Sequence, residues 1–221
     1  MSSPSEPAAT ARTYAGRTAD DRRAERRDRL VAATVRLLGE RGEGATTMTA
    51  VCAEAGLTER YFYESFAGRE DVLVAALDLV AGAIADVVLA AIAETPGAPN
   101  ARVHAALAAL ATWVDDHPGD ARVALVEATA HPALRSRRRE LLGTFADLVV
   151  REAARLYGPS TWSAVRSRAQ GLIYVAGLAE LVTARMAGEL DLTTEELVEI
   201  GAASFERLAR ASLTGETAGG H

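Results

Sequence analysis

Residues 55–70, AGLTERYFYESFAGRE, contain the side chains of this sequence that are best suited to binding a polar polymer. Four of the chain's aromatic residues fall within positions 61–66, among charged and hydroxyl side chains, although aromatics make up only 5% of the chain. Arginine can bond guanine in a bidentate fashion, tyrosine and threonine hydroxyls can reach phosphates or bases, and ring edges can meet thymine methyls. The segment therefore suggests a DNA-reading surface. The alternative, that Tyr61 and Tyr63 only cover a small helical core, stays open from spacing alone.

Three predicted helices position this segment. Apolar residues recur at helical spacing between Asp20 and Arg41, as Leu30, Ala33, Leu37 and Leu38. A second helix is predicted from about Thr47 to Ala55, and a third, short helix, capped by the side chain of Thr58, ends near Phe66. Gly56 supplies the tight turn between them. This order predicts a helix-turn-helix with Phe62 and Phe66 pointing inward and Tyr61 and Tyr63 pointing outward.

Composition indicates a helical protein with a substantial core. The 221 residues are 49% hydrophobic and 24% charged, with one cysteine, Cys52, so neither a disulfide framework nor a cysteine metal site is expected. Sequence patterns predict an all-α fold of about nine helices, without a signal peptide or a membrane span, in the cytoplasm. The expected organisation is a disordered extension (1–19), a helix-turn-helix domain (20–67), a larger helical domain (68–213) and a flexible tail (214–221).

Residues 26–75 resemble the DNA-binding domain of TetR-type (tetracycline-repressor-like) transcriptional regulators. The resemblance is carried by LVAATVRLLGERG, by TMTAVCAEAGLT and by FYESF, which an arginine and an acid follow closely. It implies an N-terminal three-helix DNA-binding domain followed by a larger helical domain that binds a ligand and dimerises. It also implies contacts with DNA bases or phosphates from a set of polar residues, namely Thr47, Thr49, Thr58, Glu59, Arg60, Tyr61, Tyr63, Ser65 and Arg69.

Two acids depart from the family pattern, and an arginine-rich extension precedes the matching region. Glu59, an acid at a base-reading position, would either accept a hydrogen bond from a cytosine amino group or pair with Arg60. Glu64 is expected to point away from DNA. The extension from Arg12 to Arg29 holds seven arginines and four acids. It would be either an arm for the minor groove or a solvated helical extension.

The larger domain is expected, by the same resemblance, to contain the effector pocket and the dimer interface. Pocket candidates are His104, Trp113, Glu127, Phe145 and Tyr174, although Trp113 and Tyr174 could equally be core residues. Glu127 lies alone in apolar VALVEATA, so it should meet an arginine (such as one of 135–139), a hydroxyl or a cationic ligand. Dimer candidates on the last two helices are Leu172, Ile173, Ala176, Leu181, Leu197, Ile200 and Leu208.

These features predict a homodimeric repressor that binds a palindromic operator on double-stranded DNA and is released by a small-molecule effector. The sequence has no glycine-rich phosphate loop and no G-x-S-x-G motif, so an enzyme is not expected, nor is a cofactor or a metal. One alternative is a regulator without an effector, controlled by a protein or acting as an activator. A more remote alternative is a helical enzyme. An enclosed, partly apolar cavity near Trp113 and Tyr174 would favour the effector.

Overall fold

The computed structural model describes residues 18–214, which form nine α-helices and no strand, so the predicted all-α fold is confirmed. The predicted disorder of 1–19 and 214–221 falls almost entirely outside this range. The helices are α1 (Ala19–Arg41), α2 (Met48–Ala55), α3 (Glu59–Tyr63), α4 (Arg69–Glu94), α5 (Pro99–Asp116), α6 (Pro118–Leu125), α7 (Pro132–Tyr157), α8 (Ala164–Met186) and α9 (Thr194–Thr214). Two single 3-10 turns, Glu43–Ala45 and Glu127–Thr129, precede α2 and α7.

Local capping explains where the first two helices begin and end. Thr18 and Asp21 form a reciprocal capping box, in which each side chain accepts the backbone N–H of the other residue, at 3.1 and 2.8 Å. Thr47 caps α2 by accepting the N–H of Ala50 at 3.2 Å. Gly56 then ends α2 with a left-handed backbone (φ 62°), as the turn requires.

A small core joins α1, α2 and α3. Leu30 from α1, Val51 from α2 and Phe62 from α3 are all completely buried. Phe66 is buried beside Phe62, with ring centroids 5.7 Å apart. The predicted inward faces of these three helices are therefore confirmed, because the periodic apolar residues of each helix meet the same core.

The larger domain is built from α4 to α9, and it meets the small domain along α1. Helix α4 packs against α1, α5 and α7, while α5 packs on α9 and α7 on α8. Helix α6 crosses α1 so closely that a Cβ atom on Gly39 would lie 2.7 Å from the carbonyl oxygen of Gly119. Glycine is required at position 39, because any side chain there would force the two helix backbones apart.

Two features of this domain differ from the sequence-based predictions. The nearly all-apolar stretch 121–130 predicts a single helix, but α6 starts earlier, at Pro118, and a separate 3-10 turn follows it. Proline at the first position of a helix favours that early start. Helix α4 is the one helix among residues 18–214 that is long and apolar enough to cross a membrane by length and composition. Here it packs as a core helix, and its Asp78 pairs with Arg137 of α7 at 2.6 Å.

Candidate DNA-binding surface and ligand cavity

Helix α3, called the reading helix below, presents its polar side chains to solvent. Arg60 has 86% of its side chain accessible, and Tyr63 is 59% exposed as a residue. Glu59 and Tyr61 are exposed on the same helix, and Thr58 is exposed immediately before it. The predicted division of the aromatics is present: Phe62 and Phe66 face the core, and the two tyrosines face outward.

The threonines around the reading helix differ in how they are engaged. Thr58 lies at the N-cap position of α3, but its side chain makes no capping hydrogen bond, contrary to the prediction. Its carbonyl oxygen accepts the N–H of Tyr61 at 3.0 Å. The hydroxyl of Thr49 donates to Glu59 at 3.5 Å, which brings the start of α2 next to the reading helix. Both hydroxyls lie on the surface that carries Arg60.

Arg60 pairs with Glu64 rather than with Glu59. The Nε of Arg60 lies 3.4 Å from the carboxylate of Glu64, one helical turn away. The same carboxylate lies 3.3 Å from Nη2 of Arg26 in α1. Of the two predicted roles for Glu59, pairing with Arg60 is therefore absent from this structure. Glu64 is only 35% exposed and joins α1 to the reading helix.

Arginines of α1 pack on the reading helix, which sequence reasoning did not anticipate. The guanidinium of Arg26 lies 4.6 Å from the ring centroid of Tyr61, and that of Arg27 lies 5.1 Å from the ring of Phe66. Arg23 donates to the carbonyl oxygen of Glu64, and Arg29 donates to that of Ala55 at 2.6 Å. Residues 19–29 are helical and mostly exposed, as the second alternative predicts, but several of their arginines also contact the helix-turn-helix. The helical spacing of these arginines was the available signal. Arg12 and Arg17 lie outside the described residues.

Two predicted phosphate contacts have other surroundings in the structure. The hydroxyl oxygen of Ser65 is buried, because the chain turns inward toward Phe66 after α3, so it cannot reach a phosphate in this conformation. Arg69 donates through Nε to the carbonyl oxygen of Thr46 at 2.7 Å and pairs with the carboxylate of Glu43 at 2.6 Å. Arg69 thus holds the start of α4 to the segment before α2. Its contact with DNA stays a prediction.

A cavity of about 210 Å³ lies inside the larger domain. Three of the predicted pocket residues, Trp113, Phe145 and Tyr174, line it, whereas His104 and Glu127 do not. His104 instead lies 3.6 Å from Glu199, near the surface. The hydroxyl of Tyr174 donates to the carbonyl oxygen of Gly201 at 3.3 Å, and burial raises the pKa of this phenol. The remaining lining is almost entirely aliphatic and comes from α4 to α9.

Only two charged residues line the cavity, and sequence reasoning missed both. Arg138 and Glu152 lie fourteen positions apart on α7, in a stripe of cavity-lining residues that begins at Arg138 and continues beyond Glu152 to Leu156. Arg138 pairs with Glu180 of α8 at 3.1 Å, and Glu152 pairs with Arg155 at 2.8 Å. Their position on the helical stripe of Leu141 and Phe145 was the signal, since i, i+3 and i+7 share a face.

Glu127 lies at the junction between the domains and not in the cavity. One carboxylate oxygen accepts the backbone N–H of Glu43 at 2.9 Å, and the other lies 3.0 Å from both Nε and Nη2 of Arg122. The predicted arginine partner exists, but it is Arg122 and not one of residues 135–139. Only 8% of the Glu127 side chain is exposed. We call Glu43, Arg122 and Glu127 the junction cluster.

The predicted dimer residues are not all on the surface. Ile173 is 65% exposed, Ile200 44% and Leu172 42%, so α8 and α9 carry an exposed apolar patch. Leu197 is 1% exposed within the protomer, so its placement in the interface was wrong: it faces the core of its own chain. The other three candidates, Ala176, Leu181 and Leu208, are half-buried.

Other candidate chemistry is sparse. Cys52 is buried in α2, and this burial, with the nearby charge of Glu59 as a smaller cause, raises the pKa of its thiol. A raised thiol pKa disfavours the reactive thiolate. Among residues 18–214, no group of three His, Cys, Asp or Glu side chains is placed to hold a metal ion.

Comparison with known proteins agrees with this geometry. Residues 30–76 match the family described as bacterial regulatory proteins, tetR family. No curated protein matches the sequence. A TetR-family transcriptional regulator from Streptomyces coelicolor is 24% identical, covering 85% of this chain and 90% of its own, with a TM-score of 0.61. A TetR-like transcriptional regulator from Rhodococcus sp. RHA1 is 18% identical, covering 87% and 98%, with a TM-score of 0.59.

A third solved structure of this fold contains a ligand. FadR from Bacillus subtilis, a transcriptional regulator in complex with stearoyl-CoA, is 16% identical to this chain. The match covers 82% of this chain and 97% of FadR, with a TM-score of 0.62. Residues 30–76 therefore belong to the tetR family of bacterial regulatory proteins, and residues 18–214 have the fold of TetR-family transcriptional regulators.

Proposed function

We propose that this TetR-type regulator is a homodimeric repressor that binds a palindromic operator and is released when a small molecule enters its cavity. The observation that carries the proposal is the position of α6. Ala121, Ala124 and Leu125 of this helix line the cavity, and Gly119 at its start touches Gly39 of α1. One short helix thus separates the ligand space from the helix that supports the reading helix.

The reading helix supports the DNA-binding part of this proposal. Arg60 and Tyr63 project from it, next to the hydroxyls of Thr49 and Thr58. The guanidinium of Arg60 suits the acceptors of guanine, and its ion pair with Glu64 is exposed on the arginine side, so a base can replace it. The tyrosine hydroxyl suits a phosphate oxygen.

The packing of α6 against α1 supports the proposed release of DNA by a ligand. Helices α1 and α6 approach so closely at Gly39 and Gly119 that a movement of α6 has to move α1 or break the contact. A ligand that binds only one arrangement of α6 increases the fraction of molecules in that arrangement. The coupling free energy between a ligand site and a DNA site is typically about 1–3 kcal/mol. Because two reading helices must match half-sites about 34 Å apart, a small rotation of each domain is enough to weaken operator binding.

The alternative without an effector is less favoured because a largely apolar cavity lies where an effector would be expected, beside Trp113 and Tyr174. The remote enzyme alternative would need a polar constellation facing that space. Among the described residues, the lining offers, apart from the hydroxyl of Tyr174, only Arg138 and Glu152, fourteen positions apart on α7.

The test starts from duplexes selected by the protein from a random pool, with affinities for a selected and a scrambled duplex measured by fluorescence anisotropy. Arg60→Ala should reduce the preference for the selected duplex roughly 10- to 100-fold, the range that one bidentate base contact accounts for. Tyr63→Phe should weaken both duplexes by the same few-fold factor, because a phosphate contact reads no sequence. Arg207→Ala, at an exposed position of α9, is the control and should change neither the overall affinity nor the preference for the selected duplex.

The outcomes separate the parts of the proposal. Failure to select any duplex would contradict DNA binding, and unchanged preference in the Arg60 variant would contradict base reading by this residue. Compounds that release the duplex are then screened against Ala179→Phe, which fills the cavity. This variant should still bind DNA but should no longer respond. A response that persists would place the effector elsewhere.

A further inference from the structure

We infer that the cavity takes an amphipathic carboxylate, an apolar tail with one anionic head, and that Arg138 binds the head. This inference rests on the proposed effector function and assigns the chemical class of the effector. It is argued from the size of the cavity, the two charged residues in its lining, and the different ways in which those charges are paired.

The cavity sets the size and polarity of the tail. An apolar protein cavity of about 150 Å³ holds benzene, so by proportion about 210 Å³ accepts roughly eight to ten non-hydrogen atoms. The stripe of α7 between Arg138 and Glu152 spans about 21 Å at 1.5 Å per residue, so an extended tail suits it. The lining along this stripe is Leu141, Leu142, Phe145, Leu148 and Val149, with no hydrogen-bonding side chain.

Arg138 is the charged residue whose partner can be replaced. Its side chain is 20% exposed, yet it pairs with Glu180, which is 70% exposed and stands on a different helix. An exposed pair of this kind contributes little, and the glutamate can turn into water when another carboxylate arrives. The guanidinium keeps its charge at any physiological pH and binds carboxylate oxygens in a bidentate fashion. A ligand carboxylate therefore gains a partner that is already largely desolvated.

Glu152 does not offer the same opportunity to a cationic ligand. Its partner, Arg155, stands one turn further along the same helix at 2.8 Å, so helix geometry keeps the two together whatever enters the cavity. A cation at Glu152 would have to compete with this local arginine. Arg138 has a partner that a ligand can replace, whereas Glu152 has a partner on its own helix. This difference favours a ligand whose anionic head group binds at Arg138.

Decanoate, decanol and decylamine are suitable probes, because they share a tail length and differ in the head group. Their binding is measured without DNA, from the fluorescence of Trp113, which lines the cavity, with Trp113→Phe identifying its share of the signal. Decanoate should bind roughly 10- to 100-fold more tightly than decanol, as expected for one charge-assisted contact. Decylamine should not bind more tightly than decanol.

Three variants test the assignment to Arg138. Arg138→Gln should remove the advantage of decanoate over decanol while decanol still binds, which shows that the cavity is intact. Arg139→Gln, the exposed neighbour on α7, makes the same charge change and should alter nothing. Glu180→Gln should tighten decanoate binding by roughly two- to five-fold, because it removes the competing carboxylate. If Arg138 had a purely structural role, removing the charge of Glu180 would not tighten the binding of decanoate.

The inference is overturned if decanol binds as tightly as decanoate, if decylamine binds best, if only the coenzyme A ester of decanoate binds, or if no probe binds. Its failure is distinct from failure of the proposed function. If decanoate binds through Arg138 but does not release the selected duplex, the carboxylate site stands and effector release is wrong. If other compounds release the duplex and the probes do not bind, the repressor stands and the ligand class is wrong.

Discussion

The junction cluster should contribute measurably to stability, and Glu127→Ala is the perturbation that exposes it. The nearly buried carboxylate accepts the N–H of Glu43 at 2.9 Å and contacts Arg122 at 3.0 Å. Truncation leaves the Glu43 N–H without its acceptor, whereas Arg122, with 48% of its side chain exposed, regains water. Glu127→Gln keeps an acceptor for the N–H but loses the charge and the second oxygen, which accepts from Arg122.

The magnitude follows from the exposure of each partner. An unsatisfied, partly buried N–H costs about 1–3 kcal/mol, and a pair with a half-exposed arginine adds about 0.2–1 kcal/mol. The alanine variant should therefore lose about 2 kcal/mol and the glutamine variant about 1 kcal/mol. For a protein of this size, 1 kcal/mol corresponds to about 2–4 °C in Tm, so the expected decreases are about 4–8 °C and about 2–4 °C.

Thermal unfolding by circular dichroism, at one fixed protein concentration, measures these decreases. Glu140→Ala is the matched control: this glutamate has a shorter contact, 2.6 Å to Arg137, but it is 60% exposed, and Arg137 keeps Asp78 as a partner. The control should lose less than about 1 kcal/mol. Amide exchange of a peptide that contains Glu43 should accelerate in the alanine variant alone. Equal Tm decreases for Glu127→Ala and Glu140→Ala, or for the two Glu127 variants, would refute the reasoning.

Two further predictions concern the larger domain. Ile173→Asp should convert the dimer to a monomer in sedimentation experiments without unfolding it, because Ile173 is 65% exposed in the protomer; Leu79→Asp, an equally disruptive charge at a site 52% exposed on α4, should leave the dimer intact, and the opposite result would move the interface. The bidentate hydrogen bonds from Arg185 hold the pKa of Asp115 below its ordinary 3.8, so the folded state gains stability above pH 3.8 and loses it as the pH falls through the lower folded value. Asp115→Asn should lower Tm at pH 7 and lose this difference as the pH falls below about 3.8; a difference that persists in acid would contradict the assignment.

Much of the DNA-binding surface could be predicted because its determinants are local. Helical periodicity determines that Phe62 and Phe66 share one face and that Tyr61 and Tyr63 lie outside it, on either side. Thr47 and Gly56 act within a few residues of their own positions, by capping α2 and by turning the chain. Each of these features depends only on residues that are close to one another in the sequence.

Other predictions failed because they depended on which elements meet. The helical pattern places Leu197 on the apolar face of α9, but only packing decides that this face meets the protomer's own core. Ser65 lies on a polar segment, yet the turn after α3 buries its hydroxyl. In both cases the local sequence pattern predicts which face of a segment a residue lies on, but it does not predict what packs against that face.

The sequence by itself determined the helix order, the helix-turn-helix and the outward display of the reading residues, since each depends on neighbours within about two helical turns. Only the tertiary structure decided the partners of the isolated charges. Glu127 accepts the N–H of Glu43, 84 positions earlier in the chain, and Arg138 reaches Glu180, 42 positions later. Charge attraction has no preferred sequence separation, so the partner of a buried charge is set by how the helices pack. The first of these contacts lies at the junction between the domains, and the second lies at the proposed ligand site.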